Sequence, residues 1–267
     1  MNKDSVRPTK RFTRWLRQKL LHSVTPDGFT PIEEFSARDI FVVGYPKSGN
    51  TWFQVLVAGA VYGVLPDIVP MSLVQELVPD VHKTPWYKRH AESMFFKSHD
   101  LPNPRFRRVI YLMRDGRDAM VSYLHYQEAH ERRQLDFAAF LQDNQRLHPC
   151  KWHKHVQAWL ANPYQAEMIF VKYEDLKANP EKELRRVCEF AGLKRSADVL
   201  ELAARSATFD RMRAKEASEG AFSKSWPKDK FFCRRGQVGS YREEMPREVL
   251  EGFMQEAAPM LHECGYC

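Results

Sequence analysis

Cysteine is scarce in this chain: five occur among 267 residues. Their number is odd and their spacing irregular, which is not the pattern of a disulfide framework: Cys150, Cys188, Cys233, Cys264 and Cys267. We therefore expect a reducing compartment and predict a cytoplasmic location. The last two have C-x-x-C spacing but follow a predicted helix instead of opening one within a βαβ unit, so a redox function is not favoured.

Long apolar runs, linkers and repeats are also lacking. The longest apolar stretch, from Trp52 to Leu65, has the length of a buried core helix, and no secretory signal is recognised. We predict a basic extension over residues 1–36 and one domain over 37–267. The extension carries apolar residues at helical spacing opposite Lys and Arg. We favour a helix that packs on the domain over one that contacts a membrane peripherally.

Charge is not concentrated in any one segment. Lys and Arg number 41 and Asp and Glu 34, which gives a formal net charge of +7. This charge suits an anionic ligand, but its even spread does not indicate a nucleic-acid partner. The histidines and cysteines lack the spacing of a zinc site, and no hydrophobic strand ends in a clear Walker B acid, so no metal is expected.

Predicted strands and helices alternate along the chain. The strands lie near residues 39–44, 107–113 and 167–172, and the helices near 51–64, 118–131, 150–161, 180–191, 196–205 and 246–263. This order is typical of an α/β domain with a central parallel sheet flanked by helices. Prolines interrupt residues 65–95, 127–149 and 210–231, which we expect to be irregular loops bordering a ligand pocket.

A phosphate-binding loop is predicted after the first of these strands. The strand ends at Gly44, and small residues lead directly into a helix. Gly44 and Gly49 allow a tight turn, so backbone N–H groups and the positive end of the helix dipole converge on an anion. The spacing to Thr51 fits a Walker A motif, but Asn50 stands where that motif has lysine. Lys47 lies inside the loop instead, which argues against an ordinary ATPase or GTPase.

A second anion site is predicted at Arg114, where the strand near 107–113 ends. Ligands gather at the carboxyl ends of the strands in an open parallel sheet. Because Gly44 and Arg114 both take that position, we expect one ligand with two anionic ends. An ion pair of Arg114 with Asp115 or Asp118 is the alternative.

These segments resemble the cytosolic-type sulfotransferases in order and spacing. Residues 45–52 are similar to the family's 5′-phosphosulfate loop, and residues 107–126 to its 3′-phosphate motif. Residues 152–159, 171–180 and 234–241 are similar to further family segments. The resemblance implies a P-loop NTPase-like fold. It also implies sulfuryl transfer from 3′-phosphoadenosine 5′-phosphosulfate (PAPS), with adenosine 3′,5′-bisphosphate (PAP) as the other product.

The resemblance also assigns residues to the donor. Those implied for the phosphosulfate are Lys47, Ser48, Gly49, Asn50 and Thr51. Those implied for the 3′-phosphate are Arg114, Ser122, Arg234, Arg235 and Gly236. Those implied for the adenine and ribose are Trp52, Phe209 and Tyr173. Ala207 departs from the family, which often has a hydroxyl residue there, so Thr208 either takes that contact or the contact is missing.

Sulfuryl transfer needs a base for the acceptor proton, a cation on the leaving oxygen and in-line positioning. The resemblance implies that His99 is the base. Lys47 would stabilise the leaving oxygen, Ser48 would hold that lysine or the phosphate, and Lys97 would help to neutralise the sulfuryl oxygens. His155 lies where relatives approach the acceptor, and a structural role between helices is the alternative.

The predicted function is transfer of a sulfuryl group to a hydroxyl, or less favourably an amine, of a small-molecule acceptor. A P-loop kinase for nucleotides or small molecules is one alternative, disfavoured by Asn50 and by the missing acid. A non-enzymatic module that binds polyanions is the other. Neither the acceptor nor the oligomeric state can be predicted from these motifs.

Overall fold

The computed structural model describes residues 25–220 and 226–267. The predicted N-terminal basic helix lies outside these residues. The strands are β1 (Thr30–Pro31), β2 (Ile40–Gly44), β3 (Trp86–Tyr87), β4 (Phe95–Ser98), β5 (Arg108–Met113) and β6 (Glu167–Lys172). The helices are α1 (Asn50–Tyr62), α2 (Met71–Leu77), α3 (Gly116–Glu131), α4 (Phe137–Gln142), α5 (Trp152–Ala161), α6 (Tyr173–Ala178), α7 (Pro180–Phe190), α8 (Ala197–Ser206), α9 (Phe209–Glu219), α10 (Tyr241–Glu244) and α11 (Arg247–Glu263).

A parallel sheet of four strands, in the order β4-β2-β5-β6, forms the centre of the domain. Strand β2 is buried along its whole length, as expected for a strand with a neighbour on each edge and helices on both faces. Gly44, its last residue, pairs with Leu112 of β5. The strands therefore end together at one edge, and the predicted α/β class with a central parallel sheet is confirmed.

Alternate strand residues point into two hydrophobic layers. On one face, Phe41 and Val43 pack with side chains from α3, α5 and α11. On the other, Ile40 and Val42 pack with side chains from α1, α7 and α8. Because both layers hold the sheet from its faces, its carboxyl edge stays open for a ligand. No helix within the described residues is long and apolar enough to cross a membrane.

The structure contains elements that the sequence pattern did not indicate. Strand β4 is short and ends in Lys97 and Ser98, so its identity as a strand depends on its pairing with β2. Helices α2, α4 and α9 lie within segments predicted to be irregular. Helix α9 buries only a few of its residues, among them Met212, so its apolar periodicity is weak.

The segment before β2 packs against the domain. Strand β1 pairs antiparallel with β3, and the Phe35 ring contacts the rings of Phe41, Phe96 and Phe106. Ile32 and Phe35 thus belong to the same hydrophobic layer as Phe41 of the sheet.

Candidate active site

The phosphate loop runs from Tyr45 to Gly49, between β2 and α1. Lys47 has φ of 69° and Gly49 has φ of 98°, so the chain passes through the left-handed region just before the helix begins. A Cβ atom on Gly49 would lie 2.7 Å from the ring of Tyr173. Glycine is required at this point by both the backbone angle and the close packing. The turn aims the N-terminus of α1 into the open edge of the sheet.

Asn50 explains how the loop is held without a Walker lysine. Its amide Nδ2 donates to the carbonyl of Tyr45 at 3.0 Å, so the side chain turns back to brace the loop. Asn50 Oδ1 and the hydroxyl of Ser48 are buried and have no hydrogen-bond partner among the described residues. Buried polar atoms are rarely left unpaired, and these two lie beside a loop shaped for an anion.

Arg114 lies across the open edge from the loop and links two segments. Its Nη1 donates to the carbonyl of Lys47 at 2.9 Å, and its Nη2 to the carbonyl of Gln237 at 3.1 Å. The guanidinium lies 4.4 Å from the ring centre of Tyr173. Its Nε is buried and has no partner among residues 25–220 and 226–267.

The ion pair of Arg114 with a neighbouring aspartate does not form. Asp115 pairs with Arg117 at 2.7 Å. Asp118 is fully buried and accepts from the backbone N–H of Gly239 at 2.6 Å, which ties the C-terminal loop to α3. The charge of Arg114 is therefore not neutralised by either neighbour.

The C-terminal loop brings two more arginines to the cavity that Arg114 lines. Arg234 and Arg235 both contact the carboxylate of Glu244, at 2.6 and 3.2 Å. Gly236 has φ of 61°, and a Cβ atom there would lie 2.6 Å from the ring of Phe209. The loop thus packs its glycine backbone directly onto an aromatic face.

Trp52 and Phe209 lie in the same region of the molecule. Trp52 Nε1 donates to the carbonyl of Ala207 at 2.7 Å, and its ring meets that of Tyr173 edge-on, with 5.5 Å between centres. These contacts hold flat aromatic surfaces beside the cationic groups. Thr208 is exposed just before α9. It follows Ala207, which stands where the family often has a hydroxyl residue.

His99 follows β4, and its ring orientation is set by the backbone. Its Nδ1 lies 2.8 Å from the carbonyl oxygen of Gly44. A carbonyl only accepts, so Nδ1 carries the proton and Nε2 keeps its lone pair. Burial holds the pKa of His99 well below its ordinary value, and the charge of Lys97 lowers it further. The imidazole is therefore neutral at physiological pH and able to accept a proton at Nε2.

Lys97 is buried and paired with Asp80, with 3.0 Å between Nζ and Oδ2. Burial opposes the charge of Asp80, but the charge and hydrogen bond of Lys97 outweigh that effect and hold its pKa below the ordinary value. Asp80 Oδ1 also accepts from the backbone N–H of His82. The carboxylate thus fixes the position of Lys97 beside His99.

Lys47 places its ammonium against two aromatic faces. Nζ lies 4.6 Å from the ring centre of Tyr126 and 4.0 Å from that of Phe232. Burial, followed by the charges of Lys97 and Arg114, lowers the pKa of Lys47 to about 7. The lysine of the phosphate loop is consequently able to change its charge near neutral pH.

His155 has a structural role in this geometry. It is fully buried, and its Nε2 donates to the carbonyl of His99 at 3.2 Å while Nδ1 accepts from the hydroxyl of Tyr111 at 2.8 Å. Burial lowers the pKa of His155 to about 4. Trp159 Nε1 donates to the adjoining carbonyl of Asp100. Helix α5 therefore holds the backbone carbonyls of His99 and Asp100 in place.

One cavity of about 520 Å³ lies at the carboxyl edge of the sheet and is lined by most of the predicted site residues. The predicted site residues that line it are Lys47, Gly49, Asn50, Thr51, Trp52, Lys97, His99, Arg114, Ser122, Tyr173, Phe209, Arg234, Arg235 and Gly236. Ser48 belongs to the loop, but its side chain is buried and does not line the cavity.

The cavity has further lining residues that the motifs did not reveal. Polar ones are Asp80, His82, Lys83 and His148, and aromatic ones include Tyr123, Tyr126 and Phe232. The polar four come from two of the proline-interrupted segments expected to border a pocket. No motif spacing marks them individually. Asp80, His82 and Lys83 lie on one turn, and His148 comes from a distant segment.

Comparison with known proteins identifies the family. A family model described as "Sulfotransferase domain" matches residues 37–265. This chain belongs to the sulfotransferase family. The resemblance noted from the phosphate loop and the later motifs is thus confirmed, and so is the class of enzyme.

Known sulfotransferases are similar along most of the chain. Human Sulfotransferase 1C2 is 25% identical over 263 residues, which span 88% of this chain and 87% of the relative. The structure of retinol dehydratase in a complex with retinol and PAP has a TM-score of 0.64 at 20% identity and covers 85% of this chain and 82% of its own. Mouse sulfotransferase SULT7A1 complexed with PAP has a TM-score of 0.61 at 21% identity and covers 88% and 90%. The two structures confirm the fold of this sulfotransferase.

Proposed function

We propose that this sulfotransferase moves a sulfuryl group from PAPS to a hydroxyl group of a small molecule. The observation that carries the proposal is the single cavity that joins the phosphate loop, Arg114 and His99. PAPS has anionic groups at both ends, and the cavity offers cations at both ends. The two solved relatives are complexes with PAP, which supports the same nucleotide here.

The unpartnered buried atoms suit this donor. The hydroxyl of Ser48 and the backbone of Gly49 and Thr51 belong to the phosphosulfate end, at the N-terminus of α1. The Nε of Arg114 belongs to the 3′-phosphate end, with Ser122 and the Arg234–Gly236 loop. Arginine suits forked, charge-assisted contacts to phosphate. The aromatic rings of Trp52, Phe209 and Tyr173 would hold the adenine and ribose.

The chemistry is a transfer of sulfur between two oxygens. The acceptor oxygen forms a bond to sulfur, the bond from sulfur to the 5′-phosphate oxygen breaks, and PAP leaves with that electron pair. His99 takes the acceptor proton at Nε2, which its hydrogen bond to Gly44 leaves unprotonated. Lys47 stabilises the leaving oxygen, and Lys97 stabilises the sulfuryl oxygens.

We further propose that the enzyme acts in the cytoplasm and without a metal. All five cysteines are free, which suits a reducing compartment. The lysines and backbone dipoles supply the positive charge that the proposed reaction needs.

The test is incubation of the full chain with PAPS and a panel of hydroxylated metabolites, followed by mass spectrometry. A mass gain of one sulfuryl unit that requires PAPS is the expected result. PAP should also raise the melting temperature far more than AMP or ATP with magnesium, since only PAP satisfies both anion sites. ATP consumption with magnesium would instead support a kinase. Tight, strongly salt-dependent polyanion binding without turnover would support a binding module.

A further inference from the structure

The end of the cavity near His99 is polar and positively charged. We define this acceptor end by the residues that line it beside His99 and lie away from the nucleotide: Asp80, His82, Lys83 and His148. The rings of His82 and His99 are stacked with 5.8 Å between centres, and the ring of His148 lies 5.7 Å from that of His82. An acceptor hydroxyl at His99 therefore places the rest of the acceptor against these groups.

Lys83 is a cation at the acceptor end that forms no direct ion pair among the described residues, although Asp80 lies near enough to attract it. Its backbone N–H donates to the carbonyl of Asp80, which fixes the turn that carries it. Its ammonium makes no ion pair and no side-chain hydrogen bond with any residue in the described parts of the chain. Burial and then the nearby charge of Lys97 lower its pKa, and Asp80 only partly opposes them, so an added anion would favour the charged form of Lys83.

The acceptor end offers little to a positively charged acceptor. Asp80 is the carboxylate that lines the described cavity, and it already pairs with Lys97. The aromatic faces of Tyr126 and Phe232, which would otherwise suit a cation, are covered by the ammonium of Lys47.

We propose that the acceptor carries an anionic group, such as a carboxylate, that binds Lys83 while its hydroxyl lies at His99. This inference rests on the proposed function and names its substrate class. His82 adds a second donor for the same group. Its Nε2 accepts from the backbone N–H of His99 at 3.1 Å, so Nδ1 carries the proton.

The experiment uses three phenols of similar size and different charge. They are 4-hydroxyphenylacetate, which is anionic, tyrosol, which is neutral, and tyramine, which is cationic. Their dissociation constants from the complex of the enzyme with PAP are measured by calorimetry, and their turnover with PAPS by mass spectrometry. The variants are Lys83→Ala and Lys83→Glu. The control is Lys88→Glu, a charge reversal at an exposed lysine that does not line the cavity.

We expect the parent enzyme to bind the anionic phenol more tightly than the neutral one, and the cationic phenol least tightly. Lys83→Ala should reduce the ratio of anionic to neutral affinity by about three- to tenfold, the range for a partly exposed charge-assisted contact. Lys83→Glu should invert the ranking in favour of tyramine, whereas Lys88→Glu should keep the parent ratio. The ratio of the two affinities does not change if a variant simply contains less folded protein, so it separates a loss of specificity from a loss of folding.

The inference is overturned if the ratio is the same in Lys83→Ala as in the parent, or if the parent prefers tyramine. A different result would contradict the proposed function. In that case PAP does not stabilise the fold, and PAPS supports no sulfation of any compound in the panel of hydroxylated metabolites.

Discussion

Raising the pH through neutrality is predicted to discharge Lys47 and thereby to slow sulfuryl transfer. The cause is the partial burial of this lysine at the cavity wall, beside the charges of Lys97 and Arg114. Its pKa is about 7 in the free enzyme, so the ammonium is charged below that pH and neutral above it. Only the charged form stabilises the leaving oxygen.

The magnitude follows from the titration curve. With a pKa of about 7, roughly one-tenth of Lys47 is charged at about pH 8 and one-hundredth at about pH 9. The pH dependence of kcat/KM reports ionisation of the free enzyme. The value of kcat/KM for PAPS should therefore fall about tenfold for each pH unit above about pH 8. The anionic donor favours the charged lysine once bound, so the fall in kcat should begin at a higher pH.

The assay measures initial rates from about pH 6 to 9 with a saturating alcohol that does not itself ionise. His99 contributes no fall in this range because its pKa is held well below the ordinary value. The 3′-phosphate of the donor titrates at about pH 6, so it affects the acidic side of the pH–rate profile and not the alkaline side. The matched variant is Lys47→Arg, whose side chain stays charged throughout and should give a slower but flat alkaline profile.

A flat profile in the parent enzyme would refute the role of Lys47. So would a Lys47→Arg enzyme that keeps the alkaline fall, because Lys83, whose pKa is also lowered, or another group would then be titrating.

Three further substitutions test the remaining assignments. His99→Ala should lose roughly 10²- to 10⁴-fold in kcat on an unactivated alcohol and bind PAP normally; turnover near the parent rate would show that another group is the base. Arg114→Ala should weaken PAP binding and leave kcat nearly unchanged, as measured by calorimetry and initial rates. Gly236→Ala should weaken PAP binding about tenfold or more, because its Cβ meets the Phe209 ring at a positive φ, whereas Gly28→Ala, at a positive φ with open space, should not.

Much of the fold could be predicted because strong local patterns coincide with the elements. Strands β2, β5 and β6 and helices α1, α3, α5, α7, α8 and α11 lie within a few residues of their predicted bounds. Strand β4 was missed, since four residues ending in Lys97 and Ser98 carry no clear strand pattern and depend on pairing with β2. Helix α9 was missed because its charged surface hides the few apolar residues that pack.

The candidate site likewise contains residues that the sequence could predict and residues that it could not. The residues of the phosphate loop, Arg114 and His99 could be named because each belongs to a motif next to a strand end, where backbone geometry is local. Asp80 and Lys83 could not, because the turn that carries them reaches the cavity only when β4 pairs beside β2. His155 stayed open between two roles until its contacts with Tyr111 and the His99 carbonyl were known.

The sequence alone determined the phosphate-binding turn, the position of its lysine and the family, since these depend on residue type and spacing over short segments. The tertiary structure decided what each side chain does. It determined which nitrogen of His99 holds the proton, where Lys47 titrates, and which charges at the acceptor end are paired. Those properties depend on burial and on neighbours from distant segments, which come together only when the chain folds.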